Sequence, residues 1–157
     1  MENFAPAAKA EMLIRRPVAQ VFEAFVDPAI TTRFWFSDSN GRLETGKQVI
    51  WTWKRYNFSV QVHAKAIEPN KRILLDWSIT GIPTSVEWKF QERPEGTFVS
   101  ISNWGFHGDA QKVANEAIDS TEGFTLVLAG LKALLEHDIA LNLIADRFPD
   151  GRPARTK

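Results

Sequence analysis

The chain has 157 residues, 44% apolar and 24% charged, with Lys+Arg and Asp+Glu equal at 19 each and no cysteine. That length and composition suit one globular domain, 1–157, able to bury its own core. Zero net charge leaves no basic footprint for nucleic acid, and the lack of cysteine excludes disulfides, thiolate catalysis and cysteine metal sites.

No stretch approaches the ~18 apolar residues of a membrane span. Met1 to Lys9 has no basic region followed by an apolar run, so no signal peptide is read and a cytoplasmic protein is expected. Ala10-Glu11-Met12-Leu13-Ile14 reads as a first strand, ended by Arg15-Arg16-Pro17. Pro17 opens a helix where its missing N–H costs nothing, and Val18, Val21, Phe22 and Phe25 recur on one face of it. Asp27-Pro28 repeats the start signal, with Asp27 as cap, for a second short helix from Ala29 to about Trp35. Ser37-Asp38-Ser39-Asn40-Gly41 is a turn cluster.

A run of strands follows. Val49, Trp51 and Trp53 form the bulky face of one. Phe58, Val60, Val62, Ala64 and Ala66 alternate with Ser59, Gln61, His63 and Lys65 in the next. After the turn at Pro69-Asn70-Lys71, Ile73, Leu75, Trp77 and Ile79 face inward, against Leu74, Asp76, Ser78 and Thr80. Beyond Gly81 and Pro83, Val86, Trp88 and Phe90 alternate with Ser85, Glu87, Lys89 and Gln91. Pro94-Glu95-Gly96 is a hairpin connection. The last strand, Thr97 to Phe106, allows either face, and Val99, Ile101 and Asn103 are read as inward. The short connections make the sheet an antiparallel meander. From Val113 the stripe Ala117, Phe124, Leu128, Leu131, Leu135, Ile139 keeps helical spacing. A helix from Ala110 to Ala140 would be about 46 Å long at ~1.5 Å per residue, so a break near Asn115 to Ser120 is expected. From about 142 onward a loosely held tail is expected.

The expected class is therefore α+β: a curved antiparallel sheet of about six strands around one long C-terminal helix, with two short helices after the first strand. This order resembles the helix-grip fold of the START-like (SRPBCC) superfamily. The stretch from Arg16-Pro17-Val18 through Phe22-Glu23-Ala24-Phe25-Val26-Asp27-Pro28 looks like its first-helix signature, and Arg33-Phe34-Trp35 like the aromatic end of the second helix. Gly96 to Phe106 looks like the final strand and its exit. Leu141-Asn142-Leu143 and Arg147-Phe148-Pro149-Asp150-Gly151 are similar to the branch related to the activator of a heat-shock chaperone ATPase. The resemblance covers nearly the whole chain, and its motifs are structural. It implies a ligand carrier, a stress-response interaction module or a polyketide cyclase/aromatase, since function does not follow from fold. Dedicated chaperone activators carry a large second domain that this sequence lacks, which disfavours that reading.

Six tryptophans are the main functional lead. They either fill the core under the helix or line a cavity, where a buried indole N–H finds its partner in water or ligand. The candidate ligand-binding residues are Trp35, Trp51, Trp53, Trp77, Trp88, Asn103, Phe124 and Leu128, with Asn103 able to orient a carbonyl. A ligand is expected to enter near the turn Ser37 to Gly41. Arg33 at the mouth and Glu122 on the helix flank are the charged groups expected near the interior. His63, His107 and His137 stand on different elements without metal-ligand spacing, so neither a metal nor a cofactor is expected. No nucleophile elbow or phosphate-binding glycine loop occurs, and no catalytic residue is assigned. The expected partner is a hydrophobic or aromatic small molecule, bound by a monomer or a weak homodimer paired through a sheet edge.

Overall fold

The computed structural model describes residues 6–79 and 81–151. Thr80, expected on the outer face, and residues 152–157 of the expected tail lie outside these. β1 (Ala8–Ile14) leads through Pro17 into α1 (Val18–Val26) and α2 (Pro28–Thr31). Asp27 caps α2 by accepting the Ala29 N–H at 2.9 Å, with Pro28 in the first turn, where its missing N–H is no loss. Then come β2 (Asp38–Ser39), β3 (Gln48–Trp53), a 3₁₀ turn (Lys54–Tyr56), β4 (Phe58–Glu68), β5 (Arg72–Trp77), β6 (Thr84–Arg93) and β7 (Gly96–Trp104). The chain closes with α3 (Ala110–His137) and α4 (Leu143–Arg147).

The fold is α+β. Seven described strands form one antiparallel sheet in the order β1-β7-β6-β5-β4-β3-β2, against an expectation of about six. The additional strand is β2, whose two residues lie in the expected turn and pair with Thr52 and Trp51. A bulge between Ala64 and Ala66 shifts the register of β4, so its strict alternation ends there. Elsewhere alternation holds: Ile73, Leu75 and Trp77, then Val86, Trp88 and Phe90, then Val99, Ile101 and Asn103 are buried, while Trp104 faces out.

α3 runs unbroken over 28 residues, contrary to the expected break near Asn115 to Ser120. The polar run does not interrupt the helix because its side chains are taken up locally. Gln111 donates to Asn115, Lys112 pairs with Glu116, Thr121 bonds the Ala117 carbonyl, and Ser120 reaches across to Asn103. The helix ends before Ala140, at Asp138, which takes the left-handed conformation (φ 54°) and donates its N–H to the Ala133 and Leu134 carbonyls. Within the tail expected to be loosely held from about 142, Leu143–Arg147 form α4 and Phe148 is buried.

The space between sheet and α3 has two halves. One is filled by α1, whose Val21, Phe22, Phe25 and Val26 are buried, with Phe22 meeting Phe90 edge-on at 5.3 Å and Phe25 against Trp88 and Phe90. The other half, at the end where β3, β5 and β7 finish and β4 and β6 begin, is closed less completely.

One polar anchor holds the filled end. Glu136, with its side chain 8% exposed, accepts the Arg15 N–H at 2.8 Å and the Lys132 ammonium at 2.7 Å. Lys132 in turn bonds the Leu13 carbonyl at 2.8 Å, tying α3 to the end of β1. Burial alone would raise the Glu136 pKa, but the Arg15 N–H, Lys132 and His137 outweigh it and hold the pKa below the ordinary 4.5. A depressed carboxylate pKa stabilises the fold above the unfolded value, and the stabilisation is lost as pH falls through the folded value. Glu136→Gln is therefore expected to lower stability by about 1.5–3 kcal/mol at pH 7. Urea unfolding at pH 7 and pH 3 checks this: the gap between variant and wild type should shrink at the lower pH.

Candidate functional site

At the less filled end lies a cavity of about 720 Å³. Its wall is built from strand ends and one face of α3. Trp53 closes β3, Phe58 begins β4, Trp77 ends β5 and Ile79 follows just beyond it, Thr84 begins β6, and Asn103 lies near the end of β7. From α3, Glu116, Asp119, Ser120, Gly123, Phe124 and Val127 recur at helical spacing on the same wall. Trp35 enters from the turn after α2, and Ile144 from α4.

The aromatic groups touch one another. Trp35 meets Trp51 at 5.0 Å, Trp77 at 6.1 Å and Phe124 at 5.8 Å, and Trp77 stacks on Phe124 at 5.6 Å and 25°. Such contacts fix ring orientation and add ~0.5–1.5 kcal/mol per pair beyond area burial. Five of the eight candidate residues, Trp35, Trp53, Trp77, Asn103 and Phe124, line the cavity. Trp51, Trp88 and Leu128 lie behind that wall, each at most 2% exposed, and Trp51 stacks on Phe36 at 4.5 Å. The Trp88 indole N–H finds no hydrogen-bond partner among the described residues.

Asn103 is not free to orient a carbonyl. Both of its amide hydrogens are engaged, by the Thr84 hydroxyl oxygen at 3.0 Å and the Ser85 carbonyl at 2.8 Å, while its own oxygen accepts from Ser120 at 2.8 Å. The charged groups also differ from expectation. Arg33 pairs with Asp138 at 3.2 Å and Glu122 with Arg147 at 2.7 Å, and neither lines the cavity. The ionisable wall residues are Arg55, Glu116 and Asp119. The 116, 120, 123, 127 spacing carried that information in the sequence, but only once the helix was known to continue through 115–120.

The expected entrance at Ser37 to Gly41 is closed by β2 and by Ser37, which donates to the Thr52 carbonyl and accepts from the Lys54 N–H. The exposed lining residues Arg55, Asn57, Ile82 and Gly151 make the rim. There the Tyr56 hydroxyl lies 3.2 Å from the carbonyl oxygens of both Ile144 and Phe148, and Arg55 donates to the Pro149 carbonyl at 2.8 Å. No helix among the described residues is long and apolar enough to cross a membrane, and no described cluster of three or more His, Asp or Glu could hold a metal.

A curved antiparallel sheet gripping one long helix, with a cavity at one end, defines a helix-grip protein of the SRPBCC type. The family model described as "Activator of Hsp90 ATPase homolog 1-like protein" matches residues 15–136, and the chain belongs to that family. No curated protein matches it. Among solved structures, protein SSP2350 of Staphylococcus saprophyticus is 28% identical with a TM-score of 0.75, covering 86% of this chain and 95% of that one. DynU16, a protein of the dynemicin biosynthetic locus, is 19% identical with a TM-score of 0.76, covering 86% of this chain and 49% of that one. The Aha1 dimer of Colwellia psychrerythraea is 15% identical with a TM-score of 0.70, covering 83% and 96%. The last two likenesses are of fold.

Proposed function

We infer that the protein binds an apolar or aromatic small molecule between the sheet and α3, acting as a carrier or sensor in the cytoplasm. The observation that carries this reading is the cavity of about 720 Å³ walled by Trp35, Trp53, Trp77 and Phe124. Small-molecule sites occupy ~300–1,000 Å³ and are mostly apolar with a few placed polar groups. A neighbour from a biosynthetic locus is in keeping with a small-molecule role. The chaperone-activator reading calls for a filled interior and one broad exposed apolar patch. Against it, of the exposed Ile50, Ile82, Trp104, Ile118, Ile139 and Leu141, only Ile139 and Leu141 share a segment, the one between α3 and α4. Glu116 and Asp119 on the wall supply the ionisable group that a cyclase-type enzyme would use, so that is the second reading. The dimeric Colwellia neighbour leaves a weak homodimer beside a monomer as the expected states.

The test is intrinsic tryptophan fluorescence during titration with fatty acids, flavonoids, sterols and polyketide-like aromatics. Saturable quenching at micromolar ligand, lost in a Trp77→Ala variant that still folds, is the expected result. A bound compound recovered with altered mass would favour the enzyme. No response to any compound would overturn the ligand reading in favour of the interaction module.

A further inference from the structure

We propose that the ligand of this cavity carries a neutral hydroxyl, which accepts from Thr84 and donates to Ser120. This rests on the cavity being a ligand site, and it follows from the direction of the hydrogen bonds around Asn103. Asn103 is 2% exposed on the inward face of β7 and joins β6 to α3. Its amide nitrogen donates to the Ser85 carbonyl at 2.8 Å and to the Thr84 hydroxyl oxygen at 3.0 Å. Its own oxygen accepts from the Ser120 hydroxyl at 2.8 Å. A carbonyl can only accept, so Ser85 fixes which end of the amide carries the nitrogen. The polarity of both hydroxyls is then set. Ser120 spends its hydrogen on Asn103 and keeps lone pairs. Thr84 receives a hydrogen and keeps its own, which no described residue accepts.

Both residues line the cavity, and both bond the same amide group, which brings their oxygens to one region of the wall. A hydroxyl suits this pair because its oxygen both donates and accepts. A carbonyl or an ether would leave Ser120 without a donor, and an ammonium would leave the Thr84 hydrogen without an acceptor. The pair also sits where an aromatic body would rest. Thr84 is the cross-strand partner of Trp77, and Ser120 lies one turn before Phe124 on α3, so the two hydroxyls border the stacked Trp77–Phe124 rings. The indole N–H groups of Trp35, Trp53 and Trp77 make no hydrogen bond to a described residue, and they too call for oxygen on the ligand.

The experiment is calorimetric titration of the full chain at pH 7 with 2-naphthol, 2-methoxynaphthalene and 2-methylnaphthalene. The first donates and accepts, the second only accepts, and the third does neither. The naphthol should bind about fivefold or more tighter than the methyl compound, with the ether between them. Ser120→Ala should bring the naphthol to the affinity of the ether and leave the ether unchanged. Thr84→Val should weaken naphthol and ether alike and leave the methyl compound unchanged, while Thr84→Ser, which keeps the hydroxyl, should retain the wild-type order. Equal weakening of all three probes in Ser120→Ala and Thr84→Val would make the network packing alone and overturn the assignment. Equal binding of the three to wild type, or tightest binding of the methyl compound, would overturn it without any variant and leave the cavity reading intact. Failure of all three probes to bind would overturn both.

Discussion

Replacing Gly123 with leucine is expected to weaken ligand binding by about tenfold or more, a loss of ~1.4 kcal/mol or more, without unfolding the protein. Gly123 lies in the middle of α3 and on the cavity wall, and a Cβ built there meets nothing within 4 Å. A leucine side chain at this position has only the cavity to occupy. Mid-helix glycine is less favourable than other helix formers by about 0.5–1 kcal/mol, so the variant should be as stable as wild type or slightly more so. This separates the change from Trp77→Ala, which removes packing along with wall: Trp77 is 6% exposed and stacks on Phe124. Fluorescence titration together with a thermal melt checks it. Undiminished affinity in a folded Gly123→Leu protein would place the ligand somewhere else.

Gly96→Ala should be the most damaging single substitution, destabilising by about 3 kcal/mol or more. Gly96 opens β7 with φ +151°, and a Cβ there would collide with the Ile14 carbonyl oxygen and come within 2.7 Å of the Arg15 Cα. Both obstacles are backbone, held by the pairing of Ile14 with Thr97, so neither moves without breaking the β1–β7 ladder. Denaturant unfolding measures the loss. A variant within 1 kcal/mol of wild type would show that this corner of the sheet yields more than its close packing implies, since surface changes usually stay within about 0.5 kcal/mol.

Inward and outward faces were legible in the sequence because side-chain direction in a strand has a period of two. The buried Ile73, Leu75 and Trp77 and the buried Val99, Ile101 and Asn103 follow directly from it. Depth along a strand has no such signature. Trp51 and Trp53 share a face, yet Trp53 at the end of β3 lines the cavity while Trp51, two residues earlier, is 2% exposed against Phe36. Trp88 pairs with Ile73 in the filled half, whereas Thr84 at the other end of β6 reaches the wall. Which end stays open depends on where α1 packs, and no residue spacing states that. The helix contribution was hidden for another reason. Length alone suggested a break in α3, while what keeps 115–120 helical is the Ser120–Asn103 bond and the local polar pairs. The order of residues 143–148 was not legible because their anchor, Tyr56, lies 88 residues from Ile144 in sequence.

That anchor bears on how freely this part of the chain can vary. The Tyr56 hydroxyl sits against carbonyl oxygens of Ile144 and Phe148, and Arg55 bonds that of Pro149. All three acceptors are main-chain atoms. The clasp thus reads the path of the C-terminal segment, so substitutions along residues 144–149 that preserve the path and keep the buried Phe148 leave it intact. The burden of specificity falls on the 3₁₀ turn, where a single hydroxyl reaches two carbonyls. Relatives could diverge widely over these last residues and still close the same end of the sheet, provided that the turn after β3 keeps a side chain of equal reach.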